Sequence, residues 1–335
     1  PPVTPDTSKT YATADELNNA LKSGNVTATG VIPAGNYISS NTLTLKNAVV
    51  TGAVNVVGSA VIDGSVTKLS GGSVEIANGA VTFKNGAKVS DVTLTNVTSI
   101  TDENASTTGA DVATMLTKTS TVTVKDVSDA LTVDAADKTL NLANAKAGLT
   151  VTAAKAVNVS GAVTGDLSVT KGDVKVAGAV SGKVVAGTNT VTVASIGDYT
   201  QSTSVAGGKI VVTGDVSNAT LPAGMAGTTV FEGTVTQLTL DAASVVEIKK
   251  AVDMTKVTAT AGAKLTLGAA PSAITGSDTN ANGVFVHQTA GAAFEIVDNA
   301  SKVKTAKQYV YTAAASINSG NTLNTAQNAW FADVQ

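Results

Sequence analysis

The sequence predicts an all-β protein, a parallel β-solenoid with one short capping helix at its N-terminus. Two observations carry this prediction. Apolar pairs separated by one residue, usually polar, recur almost throughout the 335 residues, often every seven to ten positions. The apolar content of 43% is mostly Val, Ala, Leu and Ile, with only 3% aromatic residues. Alternation of this kind marks half-buried strands, and β-branched side chains suit a pleated surface. Strands this brief and this closely spaced do not suit an immunoglobulin-like sandwich, which needs longer strands and usually a large core aromatic. They suit rungs of short strands, each pairing with its copy one rung later around a narrow core.

The helix comes first. Residues 1 to 10 read as an extended lead-in interrupted by proline. Thr13-Ala14-Asp15-Glu16 forms a capping box, with Thr13 as N-cap and Glu16 three positions on. Leu17, Ala20 and Leu21 follow at one-face spacing, and Gly24 is expected to stop the helix in a left-handed conformation.

The strand pairs follow: Leu43 with Leu45, Val54 with Val56, Val74 with Ile76, Val81 with Phe83 and Val92 with Leu94. They resume as Val122 with Val124, Leu131 with Val133, Leu140 with Leu142, Val157 with Val159, Leu167 with Val169, Val174 with Val176 and Val191 with Val193. Leu238 with Leu240 and Leu265 with Leu267 continue the series. Three such strands give a rung of roughly 20 to 27 residues, and a dozen or so rungs at ~4.8 Å would make a rod of about 60 Å. The rhythm falters at 101–120, where Thr101 to Gly109 reads as a loop and Ala110 to Leu116 as a short helix, and again at 270–283. The expected organisation is therefore a lead-in and capping helix over 1–24 and a first β-helix part over 25–100. An interruption over 101–120, a second β-helix part over 121–270 and a C-terminal β region with an end cap over 271–335 complete it.

Ala14 to Gly64 resembles the N-terminal segment of right-handed parallel β-helix proteins of the pectin-lyase-like superfamily. The matching residues are Leu17 and Leu21, Val31-Ile32-Pro33-Ala34-Gly35-Asn36-Tyr37, Leu43-Thr44-Leu45, Val50-Thr51-Gly52 and Ile62-Asp63-Gly64. The resemblance implies a right-handed β-helix whose first rung is capped by the helix, and fold alone carries no activity with it. Trp330-Phe331-Ala332-Asp333-Val334-Gln335 resembles the opening of a surface-layer homology module, on the match of Phe331, Asp333 and Val334. That resemblance implies a bacterial envelope protein anchored to wall polysaccharide by modules outside this chain.

Composition excludes several functions. The chain has no arginine and a formal net charge of −3. It therefore lacks the guanidinium fork of carboxylate, phosphate and guanine recognition, and the basic, aromatic surface that nucleic acids require. Without cysteine there are no disulfides and no thiolate chemistry. No stretch approaches the ~18 apolar residues of a membrane helix. The opening Pro1-Pro2-Val3-Thr4-Pro5 is neither a signal peptide nor an initiator methionine, so a processed or trimmed chain is expected.

The search for chemistry yields little. Asp126, Asp129, Asp134 and Asp137 flank one strand and are the only candidate metal ligands, for Ca²⁺, against the reading that they are solvated turn residues. Hydrolytic carboxylates need a facing partner and a sugar-stacking platform, and this stretch has no Phe, Tyr or Trp. His287 is the single histidine, with no accompanying nucleophile motif. The glycines form no Gly-x-x-x-x-Gly-Lys-Ser/Thr loop and read as turns. No catalytic residue and no cofactor is expected. The expected function is a non-enzymatic surface-layer or surface-fibre building block, extracellular and associating with copies of itself. A solenoid adhesin or passenger domain is the second reading. A polysaccharide lyase or hydrolase, with a lysine base or clustered aspartates as the resemblance implies, is the third.

Overall fold

A computed structural model describes residues 7–223, 225–241, 244–253, 256–259 and 263–268. It also describes the strands Val284–His287, Phe294–Val297, Val303–Ala306 and Tyr309–Thr312. The chain is a parallel β-solenoid of about 13 turns with a short N-terminal helix, consistent with a β-helix of the right-handed kind. It divides into two units, 1–161 and 162–335.

In the first unit, helix α1 (Ala14–Ser23) precedes β1 (Val26–Ile32), β2 (Gly35–Ile38), β3 (Leu43–Val50), β4 (Ala53–Val57), β5 (Ala60–Lys68) and β6 (Ser73–Ala77). β7 (Ala80–Lys84), β8 (Thr93–Thr95), β9 (Ser99–Asp102), helix α2 (Gly109–Leu116), β10 (Thr121–Val127), β11 (Leu131–Ala145) and β12 (Leu149–Val159) follow. The sheet β1-β3-β5-β7-β9-β10-β11-β12 is parallel throughout. A second parallel sheet runs β2-β4-β6-β8.

The rungs are shorter than expected. Val26 faces Leu43 and Leu43 faces Ala60, 17 residues on each time, and the longest step in the first unit, Ile100 to Val122, takes 22. The reason is the cost of a corner. β1, β3 and β5 each bend within a single strand, at Gly30 (φ 71°), Asn47 (φ 45°) and Gly64 (φ 79°), so one left-handed residue replaces a loop. Glycine and asparagine tolerate that region best. The corners also bind one another, since Asn47 Oδ1 accepts the Ser65 N–H at 3.3 Å and Asn85 Nδ2 donates to Asp63 at 2.6 Å.

Both members of every apolar pair from Leu43–Leu45 to Leu238–Leu240 are buried, as is Leu265. Outward positions align too: Thr27, Thr44, Val61, Thr82, Thr101, Thr123, Asn141 and Asn158 form one row in register. Parallel in-register stacking thus places like beside like, and Asn158 Nδ2 donates to Asn141 Oδ1 at 3.0 Å.

α1 begins as its sequence dictates, with Thr13 accepting the Glu16 N–H at 3.2 Å. Glu16 reaches back to the N–H of Ala12 rather than Thr13, at 3.1 Å. Leu17 and Leu21 are buried, and Asn18 Nδ2 donates to Asn36 O of the first rung at 3.0 Å. Gly24 lies at φ 164°, extended rather than left-handed. The stop comes from tertiary structure instead: the Leu21 carbonyl accepts from Asn41 Nδ2 at 2.7 Å and Ser39 Oγ at 3.3 Å. Lys9 continues the β1 edge, donating its N–H to Thr27 O and accepting the Thr29 N–H. Tyr37 is buried beneath α1 with its hydroxyl donating to Pro33 O, and burial pushes it up to about 12.

The expected interruption at 101–120 does not break the ladder. β9 pairs with β7 before it and β10 after it, so Thr101 and Asp102 belong to a strand and not to a loop. α2 takes the place in chain order that a strand of the second sheet holds in the preceding rungs. Its buried Val112, Met115 and Leu116 supply the apolar face such a strand would have given.

In the second unit, Asp173–Val176, Thr190–Val193, Lys209–Val212, Thr228–Phe231, Val245–Ile248 and Lys264–Leu267 stack in parallel. Val216–Leu221, Val235–Leu240 and Val257–Ala259 form another parallel sheet. Phe231 fills the core with Tyr199, ring centroids 6.1 Å apart. Phe294–Val297 pairs in parallel with Lys264–Leu267 and antiparallel with Val303–Ala306, and Val284–His287 pairs antiparallel with Tyr309–Thr312, so antiparallel pairing joins the parallel ladder there. The expected break at 270–283 and the end-cap residues Trp330 to Gln335 lie outside the described residues, 268 itself being the last one before that break. Among the described residues no helix is long and apolar enough to cross a membrane.

Candidate functional site

The four aspartates singled out in the sequence are not brought together. Asp126 points along the stack, accepting from Asn144 Nδ2 at 2.9 Å and pairing with Lys146 Nζ at 3.1 Å. The Asn144 bond, with Lys146 behind it, holds this carboxyl below the usual carboxylate range. Asp129 accepts the Gly109 N–H at 2.6 Å, serving the first turn of α2. Asp134 and Asp137 do share a shallow cleft of about 390 Å³ with Thr132, Lys138, the α2 residues Ala113 and Leu116, and Thr117 at the helix's C-terminal end. Asp137 is open to solvent and lies 3.7 Å from Lys138. Among the described residues no three His, Cys, Asp or Glu side chains converge as a metal site would require. His287 sits opposite Tyr309 in an antiparallel strand pair.

A different carboxylate holds the position sequence reasoning passed over. The inward row of the main sheet runs Leu45, Ile62, Phe83, Asp102, Val124, Leu142, Val159 in register. Asp102 therefore occupies a core position between Phe83 and Val124, and it is 3% exposed. Its signal was present in Ile100-Thr101-Asp102, which has the spacing of every apolar pair but ends in a carboxylate. Burying an uncompensated carboxylate costs several kcal/mol. Such a residue in an apolar row calls for a physical reason.

Asp102 forms the inner wall of a cleft of about 420 Å³. Lys88, Asn104, Thr107, Thr108 and Asp111 are among the other lining residues. The segment that carries these residues is pinned to neighbouring rungs. Glu103 donates its N–H to Phe83 O at 2.9 Å, and Thr107 donates its N–H to Asp126 O at 3.0 Å. Asn104 is committed on both sides, Oδ1 accepting the Gly86 N–H at 2.7 Å and Nδ2 donating to Ala87 O at 2.9 Å. Thr108 caps α2 through the Asp111 N–H at 3.1 Å, which fixes Asp111 in the helix's first turn.

Burial pushes the Asp102 carboxyl above the usual range. The N–H of Asn104, which it accepts at 2.8 Å, and the nearby Thr107 hydroxyl pull it back, while the like charge of Asp111 adds to the rise. The Thr107 hydroxyl is near enough to steady the carboxylate but makes no hydrogen bond of ordinary geometry, and Thr107 is only 3% exposed. The cleft thus presents two carboxylates and a buried hydroxyl on a rigid frame. It is suited to holding a small polar group and presents no stacking platform among its lining residues. No family model, curated protein or solved structure matches the chain.

Proposed function

We propose that the protein is a non-enzymatic structural element of a bacterial cell surface, a building block of a surface layer or surface fibre in which the solenoid is a rigid spacer or tile. The observation that supports this reading is how its acidic side chains are used. Asp63, Asp126, Asp166 and Asp215 each accept a hydrogen bond from a residue 17 to 22 positions on, one rung further along. Carboxylates spent on joining rungs stiffen the coil and are withdrawn from acid–base work, which needs a group free to exchange its proton with a substrate. The low charge, the absence of cysteine and the rows of Thr and Asn on the outer face agree with an extracellular surface built for packing.

Two measurements test it. Purified protein, concentrated with and without Ca²⁺ and viewed by electron microscopy, is expected to form ordered sheets or fibres, whereas an adhesin stays monomeric. Incubation with uronic-acid and neutral polysaccharides is expected to release no shorter products. Cleavage of any such polymer, lost in a folded Asp134→Ala or Asp102→Asn variant, overturns the proposal in favour of a polysaccharide-active enzyme.

A further inference from the structure

We infer that the cleft at the start of α2 is a cation site of the calcium class, with the Asp102 and Asp111 carboxylates and the Thr107 hydroxyl as its protein ligands. Three observations converge on it. An aspartate stands in the inward row where its register neighbours are Phe83 and Val124, an arrangement that calls for a compensating positive charge. Beside it a buried hydroxyl, that of Thr107, is left without a hydrogen bond of ordinary geometry. The second carboxylate lining the cleft, Asp111, carries the same sign and stands in the first turn of α2, whose start the Thr108 cap sets through the Asp111 N–H.

The protein's own cations do not answer this need. Lys88 lines the cleft but forms no ion pair among the described residues, and the charge felt at Asp102 is that of Asp111. All three donors are hard oxygens, the ligand class of Ca²⁺ and Mg²⁺. Ca²⁺ accepts irregular geometry and a mixed set of carboxylate, neutral oxygen and water, whereas Mg²⁺ demands a near-ideal octahedron. A cleft of about 420 Å³ leaves space for the waters that would complete the shell. A cation there ties β9 to α2 in the rung where a helix takes the place of the second strand.

The test uses the full chain, freed of metal with EDTA and titrated with CaCl₂, MgCl₂ or NaCl while thermal unfolding and binding heat are followed. Ca²⁺ is expected to bind at one site per chain and to raise Tm saturably, by about 3–6 °C at a large excess over Kd. Asp102→Asn should abolish the response, and Asp111→Asn, at a half-exposed position that leaves the core untouched, should weaken binding at least tenfold. Thr107→Val should weaken it less, and Asp134→Asn, in the neighbouring cleft, should leave it unchanged. A wild-type chain without a saturable Ca²⁺ response overturns the inference. So does an equal response to Mg²⁺, or a Ca²⁺ response that survives in folded Asp102→Asn and Asp111→Asn.

Discussion

The Asp215 carboxylate accepts the backbone N–H of Thr234 at 2.8 Å, tying a turn on one rung to the turn 19 residues on. Asp166 does the same with the Lys183 N–H at 3.0 Å, and Asp126 with the side chain of Asn144 at 2.9 Å. Each bond adds a link along the stack that the sheet ladders do not provide.

Acid should therefore loosen the stack. The Thr234 N–H holds the Asp215 carboxyl below its ordinary value, and the Asn144 bond does so for Asp126. A carboxyl whose folded pKa is depressed contributes stability that is complete above its unfolded value, ~3.9, and is lost as pH falls through the folded one. Tm should fall as pH is lowered from about 5 to 2. Asp126→Ala should unfold at lower temperature at pH 7 and show a shallower acid slope. An unchanged slope would mean that these links do not hold the fold.

Asp102 has the opposite sign. Its folded pKa is raised, so the folded chain keeps the proton longer than the unfolded one, and stability is lost as pH rises from 3.8 through the raised value. In metal-free buffer Asp102→Asn, which keeps an acceptor for the Asn104 N–H, should melt above wild type at pH 7. Near pH 3 the two should melt together. An Asn variant less stable than wild type at pH 7 in EDTA would show that the charge is not a burden.

The strand Asp173–Val176 tests the pattern itself. Val174 and Val176 are buried and Lys175 between them is exposed. Val176→Asp should cost several kcal/mol or prevent folding, while Lys175→Asp should stay within about half of one. Equal thermal melting of the two variants would contradict the inward assignment.

Removing residues 1–24 exposes the first rung from two directions at once. The β1 edge loses Lys9, and the rung beneath loses the cover of Leu17 and Leu21. Uncovered solenoid ends pair with other chains. The truncated protein should aggregate or form fibres in light scattering. A monomeric product with unchanged Tm would show that α1 is not a cap.

Much of the fold was written in local spacing. A residue between two Val or Leu positions must face outward once the segment is extended, because strand side chains alternate with a period of two. That is why Leu43, Leu45, Val174 and Val176 were placed correctly from the sequence. The helix start at Thr13 was equally local, since the N-cap hydroxyl and the Glu16 N–H that it accepts lie three residues apart. Its end was not. Gly24 resembled a left-handed stop, but the carbonyl of Leu21 is satisfied by Asn41, a partner set by the course of the chain through the first rung.

The sequence by itself determined the class of structure and the inward face of nearly every strand, because both follow from the periodicity of neighbouring residues. Only the tertiary structure decided the register, the single-residue corners that shorten the rung, and the company each aspartate keeps. Asp126 and Asp102 are both aspartates near the same strands, yet one is an outward link to Asn144 and the other a carboxylate walled between Phe83 and Val124. The neighbours of each come from a residue one rung away, roughly 20 positions along the chain, and no local spacing names it.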